Sequence, residues 1–128
     1  MLQTFILPET IVREDGTGQQ FDVGSSHGKT FVFTLGITRI IEQESLELSI
    51  WGSADGSDWG TIPLFSFPQK FYCGTYTMLL DLSRTPDVRT VRVQWKVNRW
   101  GRGEPKPLFA IYVFTQESEE LTLAAAGA

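Results

Sequence analysis

The sequence predicts an all-β domain, an antiparallel β-sandwich of jelly-roll type with eight or nine strands, and three observations predict it. Leu46, Leu48 and Ile50 alternate with Glu47 and Ser49, while Val91, Val93, Trp95 and Val97 alternate with Arg92, Gln94 and Lys96. That two-residue period belongs to a strand with one buried face. Clusters of Gly, Asp, Ser, Asn and Pro recur at short intervals, at 14–18, 24–29, 52–57, 83–87 and 98–107, which is the punctuation of many short strands. No stretch of useful length carries the apolar period of an amphipathic helix.

Taken in order, Leu2–Leu7 reads as a strand ended by Pro8, Thr10–Arg13 as a second, and Gln19–Val23 as a third with Phe21 and Val23 inward. Thr30–Ile37 places Phe31, Phe33, Leu35 and Ile37 opposite Val32, Thr34 and Gly36. Residues 38–44 read as a strand end and a loop. Residues 46–64 read as a hairpin: an alternating first arm, a turn at Asp55-Gly56 where Gly accepts positive φ at no steric cost, and a return arm at Thr61–Leu64. Trp51 and Trp59 flank its tip. The aromatic run 65–74, broken by Pro68 and Gly74, reads as a loop laid over a core edge. Thr75–Leu82 turns Tyr76, Met78, Leu80 and Leu82 to one side, and Val88–Val97 is the longest strand. Leu108–Thr115 is apolar on both faces, which suits a central strand or one covered by a neighbour. Residues 1–116 thus read as one domain, and 117–128 as an acidic then Ala-rich tail that packs only against another subunit.

A chain of 128 residues buries enough surface to need no metal or disulfide staple. The lone Cys73 has no internal disulfide partner and is expected to be a small buried hydrophobe. The start Met1-Leu2-Gln3-Thr4-Phe5 lacks the basic and apolar segments of a signal peptide, and no apolar run approaches the roughly 20 residues of a membrane span. The expectation is synthesis in the cytoplasm, with any exit by lysis or by incorporation into a particle.

Catalytic, cofactor and metal chemistry finds little to use. Gly24-Ser25-Ser26-His27-Gly28-Lys29-Thr30 is one residue short between its glycines for a phosphate loop, and it opens a strand instead of the required helix. No nucleotide is expected. His27, the sole histidine, lacks an orienting third group for a serine nucleophile. One His and one Cys do not make a zinc set. Asp55-Gly56-Ser57-Asp58 lacks the twelve-residue calcium pattern and serves a turn. No catalytic or metal residue is therefore assigned.

Charge and aromatic content are more informative. Seven of the eleven basic residues lie at 84–106 with only Asp87 and Glu104, giving that window +5 and the rest −9. One copy's basic edge can therefore meet another's acidic surface. Nucleic acid is a poor match, because most of the surface is acidic. Arg99-Trp100-Gly101-Arg102-Gly103 sets a Trp between two Arg, the side chains that anchor interfaces. The candidate interaction residues are Arg89, Arg92, Lys96, Arg99, Trp100 and Arg102, with acidic counterparts at Glu117, Glu119 and Glu120. The alternative is a glycan-binding module stacking sugars on Trp59, Tyr72 and Trp100, with no cofactor in either reading.

The hairpin Ser53-Ala54-Asp55-Gly56-Ser57-Asp58-Trp59 resembles the S-x-D-G-x-x-W hairpin of discoidin-like β-sandwich modules. Val88-Arg89-Thr90-Val91-Arg92-Val93 is similar to their a-R-Y-V-R-V strand, and the same pair recurs in small β-sandwich proteins of tailed phages. The resemblance covers residues 46–97. It implies a structural subunit, partnered by copies of itself or another particle component, that self-associates or decorates a virion-like or filamentous assembly. Discoidin-type modules are usually secreted and often disulfide-closed, and this chain carries neither mark. Their ligand loops vary, so no binding residue carries over by position.

Overall fold

The computed structural model of the chain describes residues 3–24, 28–103 and 106–118. The residues at 25–27, His27 among them, and the tail with Glu119 and Glu120 lie outside the described residues. Among the described residues nine strands form: β1 (Gln3–Val12), β2 (Gly16–Thr17), β3 (Phe21–Asp22), β4 (Thr30–Ile40), β5 (Glu44–Ser53), β6 (Phe65–Ser66), β7 (Gly74–Asp81), β8 (Thr90–Arg99) and β9 (Phe109–Glu117). One sheet has the order β1-β9-β4-β7, the other β2-β8-β5-β6 with β3 also pairing β8, and every pairing is antiparallel. The chain crosses repeatedly between the sheets: β1, β4, β7 and β9 belong to one, the strands between them to the other. That alternation is jelly-roll connectivity.

Alternation along each strand builds the core. Phe31, Phe33, Leu35 and Ile37 of β4 and Phe109, Ile111 and Val113 of β9 face Leu46, Leu48 and Ile50 of β5 and Val91 and Val93 of β8. All of these are buried, and each contributes about 1.5–3 kcal/mol relative to exposure. β9 lies between β1 and β4, the central place its two-sided apolar character requires. The β5–β8 ladder runs unbroken from Glu44↔Arg99 to Ser53↔Thr90.

Several local expectations are corrected. Pro8 does not divide two strands: β1 continues through it, with register shifts between Phe5 and Leu7 and between Leu7 and Thr10. An edge strand tolerates the missing N–H of proline. The strand expected at 19–23 shrinks to Phe21–Asp22. The return arm is not Thr61–Leu64. The Asp55 carboxylate accepts from the Ser57 and Asp58 amides (2.8 and 2.9 Å) and Asp58 accepts from the Gly60 amide (3.0 Å), so two turns follow each other, with Gly56 and Gly60 at φ 79 and 69. Pro63 then lacks an N–H to pair. Pairing resumes where the Leu64 amide donates to the Ile50 carbonyl (2.8 Å) and continues as β6, inside the stretch expected to be loop. Cys73 is exposed rather than buried, because the loop entering β7 turns outward before its alternation begins.

Gly36 faces Tyr112 across the β4–β9 pair, and the tyrosine ring occupies the space a Cβ would take. Gly36→Ala is expected to destabilise the fold by about 1–3 kcal/mol through overpacking. Thermal melts should show most of that loss disappear in a Tyr112→Ala background.

Candidate interaction surface

Three loops meet at one end of the sandwich. The β4–β5 turn, the segment between β6 and β7, and the start of the β8–β9 loop are fastened by backbone bonds. The Trp100 amide donates to the Gln43 carbonyl (3.0 Å), and Leu46 and Lys70 exchange two bonds of 2.8 and 2.9 Å. Gln43 carries φ 63, the left-handed conformation that makes this turn tight. Arg99 binds the loop itself: Nη1 donates to the Gly101 carbonyl (2.8 Å) and Nη2 to that of Arg102 (3.2 Å). Its role is to hold Trp100 in place, since its forked donors are turned onto its own loop.

On this scaffold Trp100 is 55% exposed and Tyr72 68% exposed, with Phe71 between them. The Phe71–Trp100 centroids are 6.2 Å apart at 71°, and those of Phe71–Tyr72 are 6.5 Å apart at 53°. The rings border a cleft of about 280 Å³ that Glu42, Gln43 and Glu44 also line. Large aromatic area on an ordered frame loses little conformational entropy on docking.

The remaining basic candidates spread along β8. Arg89 precedes the strand and is exposed, and its amide donates to the Ser53 carbonyl (2.9 Å). Arg92, Gln94 and Lys96 lie on the outer face opposite Trp51, Ser49 and Glu47. The Arg92 guanidinium stacks on Trp59, 4.2 Å from the ring centroid, a cation–π contact. Ten residues separate Arg89 from Arg99, about 33 Å along an extended strand. Glu117 ends β9 opposite Phe31, at the far end from Trp100. The structure thus brings Trp100, Arg99 and Arg102 together with Tyr72, and leaves Arg89, Arg92, Lys96, Trp59 and Glu117 elsewhere. Phe71 completes the cluster although the sequence reading passed it over. Its signal was the adjacent pair Phe71-Tyr72 in a segment bounded by Pro68 and Gly74.

Beneath the cleft, Glu44 is a second member the sequence reading missed. It is 1% exposed, and its carboxylate accepts from the Leu108 amide (2.7 Å) and the Ile41 amide (3.2 Å), tying the β4–β5 turn to the entry of β9. Burial pushes its carboxyl up from the ordinary glutamate value, against the two amides and the guanidinium charges of Arg99 and Arg13. Among the described residues, no three His, Cys, Asp or Glu side chains gather as a metal set, and no helix is long and apolar enough to cross a membrane.

Because the folded state raises the Glu44 value, this group favours folding below the ordinary glutamate pKa, and that contribution is lost as pH rises through the raised value. Urea titrations across pH 4–8 should show Glu44→Gln with a weaker dependence over that window. Glu44→Ala strands two amides and should cost about 1–3 kcal/mol for each that water does not reach. Asp55 behaves oppositely. The Asp58 and Ser57 amides and the Ser53 hydroxyl hold it below the usual aspartate range, so its contribution is present above that range and lost on acidification through the depressed value.

No protein-family model and no curated protein matches the chain. Its likenesses are to solved structures. The SPBc2 prophage-derived protein YomS is similar at 9% identity over 90% of this chain and 92% of that one, with a TM-score of 0.48. A chain of the infectious bursal disease virus Gx strain is similar at 5% identity and a TM-score of 0.52, over 89% of this chain and 32% of its own length. The cleaved adhesin domain of Lys-gingipain from Porphyromonas gingivalis w83 is similar at 11% identity and 0.48, over 87% and 66%. At these identities the likeness is one of fold, and this chain spans about a third of the viral one.

Proposed function

We propose that this chain is a non-enzymatic structural subunit, one that self-associates or decorates a virion-like or filamentous assembly through its loops. The observation that carries this reading is the cluster Phe71, Tyr72 and Trp100. It is exposed, aromatic and fixed on an ordered frame, which is the composition of an interface anchor. Arg102 adds a charged rim beside it, and Glu117 lies at the opposite end. A partner bound head to tail would bring unlike ends together, an arrangement that gives rings or fibres according to whether the rotation closes. The discoidin-like hairpin at 53–59 is part of this proposal, as is the partner class, copies of the chain or another particle subunit. The fold shared with a viral chain is compatible with such a role by analogy of architecture alone.

A glycan-binding reading ranks second. Tyr72 and Trp100 border one cleft with Glu42 and Gln43, and aromatic faces beside carboxylate and amide groups suit a sugar. Against it, Phe71 stands between Tyr72 and Trp100, inclined to both, and Trp59 lies under Arg92 on a separate face. A glycan array that returns binding abolished by Tyr72→Ala would promote this reading over the first.

The test of the first is multi-angle light scattering over a concentration series at low and high salt. Species larger than a dimer should form, and Trp100→Ala should reduce them at least tenfold at equal concentration while leaving the thermal midpoint nearly unchanged. If larger species form equally with Trp100→Ala, the rim is not the contact.

A further inference from the structure

The middle of the outer face of the four-stranded sheet carries no charge. Its outward positions are Gln3 and Phe5 on β1, Tyr112, Phe114 and Gln116 on β9, Val32, Thr34 and Gly36 on β4, and Thr75, Thr77 and Leu79 on β7. The registers align them in three rungs: Tyr112–Gly36–Thr75, Phe5–Phe114–Thr34–Thr77, and Gln3–Gln116–Val32–Leu79. Phe5 is 52% exposed and Leu79 51% exposed. Charges flank the rungs, with Asp81 at one end and Arg39 and Glu9 at the other, where Glu9 borders a hollow with Phe5, Thr34, Tyr112 and Phe114. An antiparallel sheet with one face in water ordinarily alternates apolar-in with polar and charged-out, and the outer face of the other sheet does so with Glu47, Arg92 and Lys96.

We infer that this face is a two-fold interface with a second copy of the chain. The net charge of −4 means that most surfaces would set like charges against each other on meeting themselves, whereas the three central rungs of this one hold none and its charges stand at the two ends. The relief of the face selects the symmetry. Phe5, Tyr112 and Phe114 stand along the β1–β9 half, with edge contacts at 5.8 and 4.9 Å between Phe5 and the other two. On the β4–β7 half, Thr34, Thr75 and Thr77 leave a trough, closed at one end by the Tyr112 ring lying over Gly36. A two-fold axis lying in the interface, parallel to the strands and between β9 and β4, sets the ridge of each copy into the trough of the other. It also sets Thr77 of each copy opposite Phe5 of its mate, and Leu79 opposite Gln3. An axis across the strands would set ridge on ridge.

The area suffices. Four strands and three rungs define a plane of roughly 400 Å² per copy from standard strand spacing and rise. Once side-chain relief is added, a pair removes about 1,000 Å² from water, the lower bound of a specific interface. Sheets pack face to face in this way about 10 Å apart, with strands within about 30° of one another. The inference deepens the assembly reading and rests on it for its purpose, but it uses a surface that the Trp100 rim does not touch.

Sedimentation equilibrium of the whole chain tests it, with Leu79→Glu and Thr77→Arg as two independent exposed substitutions and Trp100→Ala as the separating control. The wild type and Trp100→Ala should both show a dimer, and either face substitution should weaken it at least tenfold with an unchanged thermal midpoint. In a Cys73→Ser background, Thr34→Cys next to the axis should give a covalent dimer with a short bis-maleimide, whereas Thr75→Cys, far from the axis, should not. A wild type that stays monomeric at every concentration overturns the inference, as does a dimer that survives both face substitutions. A dimer lost with Trp100→Ala alone overturns it too, and leaves the rim reading standing.

Discussion

The ladder between β5 and β8 is the constraint on which the rest of the molecule depends. Ten consecutive pairs run without a shift, and the inward side chains of both strands, Leu46, Leu48, Ile50, Val91 and Val93, are fully enclosed. Because side-chain direction alternates at every residue, a slip of one position would turn Glu47, Arg92 and Lys96 into the core. The ladder therefore fixes three things at once: the floor against which β4 and β9 pack, the charged outer face, and the position of Arg99 and Trp100 at its end. The rim cluster inherits its geometry from that last rung, where Glu44 faces Arg99.

The two broad faces of the sandwich differ in kind. One carries Glu47, Arg92 and Lys96, with Trp59 held beneath a guanidinium. The other presents threonines, a glycine and aromatic rings. One sheet's thickness separates each from the same core, so distance from the core does not account for the difference. Together with an aromatic rim at one end, the molecule offers one surface suited to meeting itself and another suited to meeting something unlike itself. A closed pair joined face to face still leaves both rims free, and so becomes a two-headed unit for further assembly.

Much of this architecture was legible in the sequence because it follows from the strand period. The inward faces of β4, β5, β7 and β8 read directly from alternation, and the central placement of β9 from its apolar character on both faces. What failed to read was non-local. Pro8 looked like a terminator because its chain position at a sheet edge is a property of the fold. Glu44 sits in the polar run Glu42-Gln43-Glu44, and nothing in that run says that the Ile41 and Leu108 amides close around one carboxylate. The face with the uncharged middle was hidden for the same reason. Its residues come from four separated segments, each with only two or three outward positions, and only the register assembles them. In the rim, Trp100 and Tyr72 were visible as candidate interface or stacking aromatics, whereas their meeting through Phe71 depends on two loops whose residues Phe71 and Trp100 lie 29 positions apart.

The irregularity at Pro8 limits how this protein can grow. Of the two margins of the four-stranded sheet, β1 is broken by register shifts and a residue that cannot donate, while β7 is regular from Gly74 to Asp81. A new strand can zip onto the intact margin, yet the spoiled one gives no template for the next. Runaway cross-β polymerisation, in which each molecule seeds its successor through the same pair of borders, is thereby denied to the native state. Growth by that route stops after one addition, and any longer assembly has to use other surfaces of the molecule.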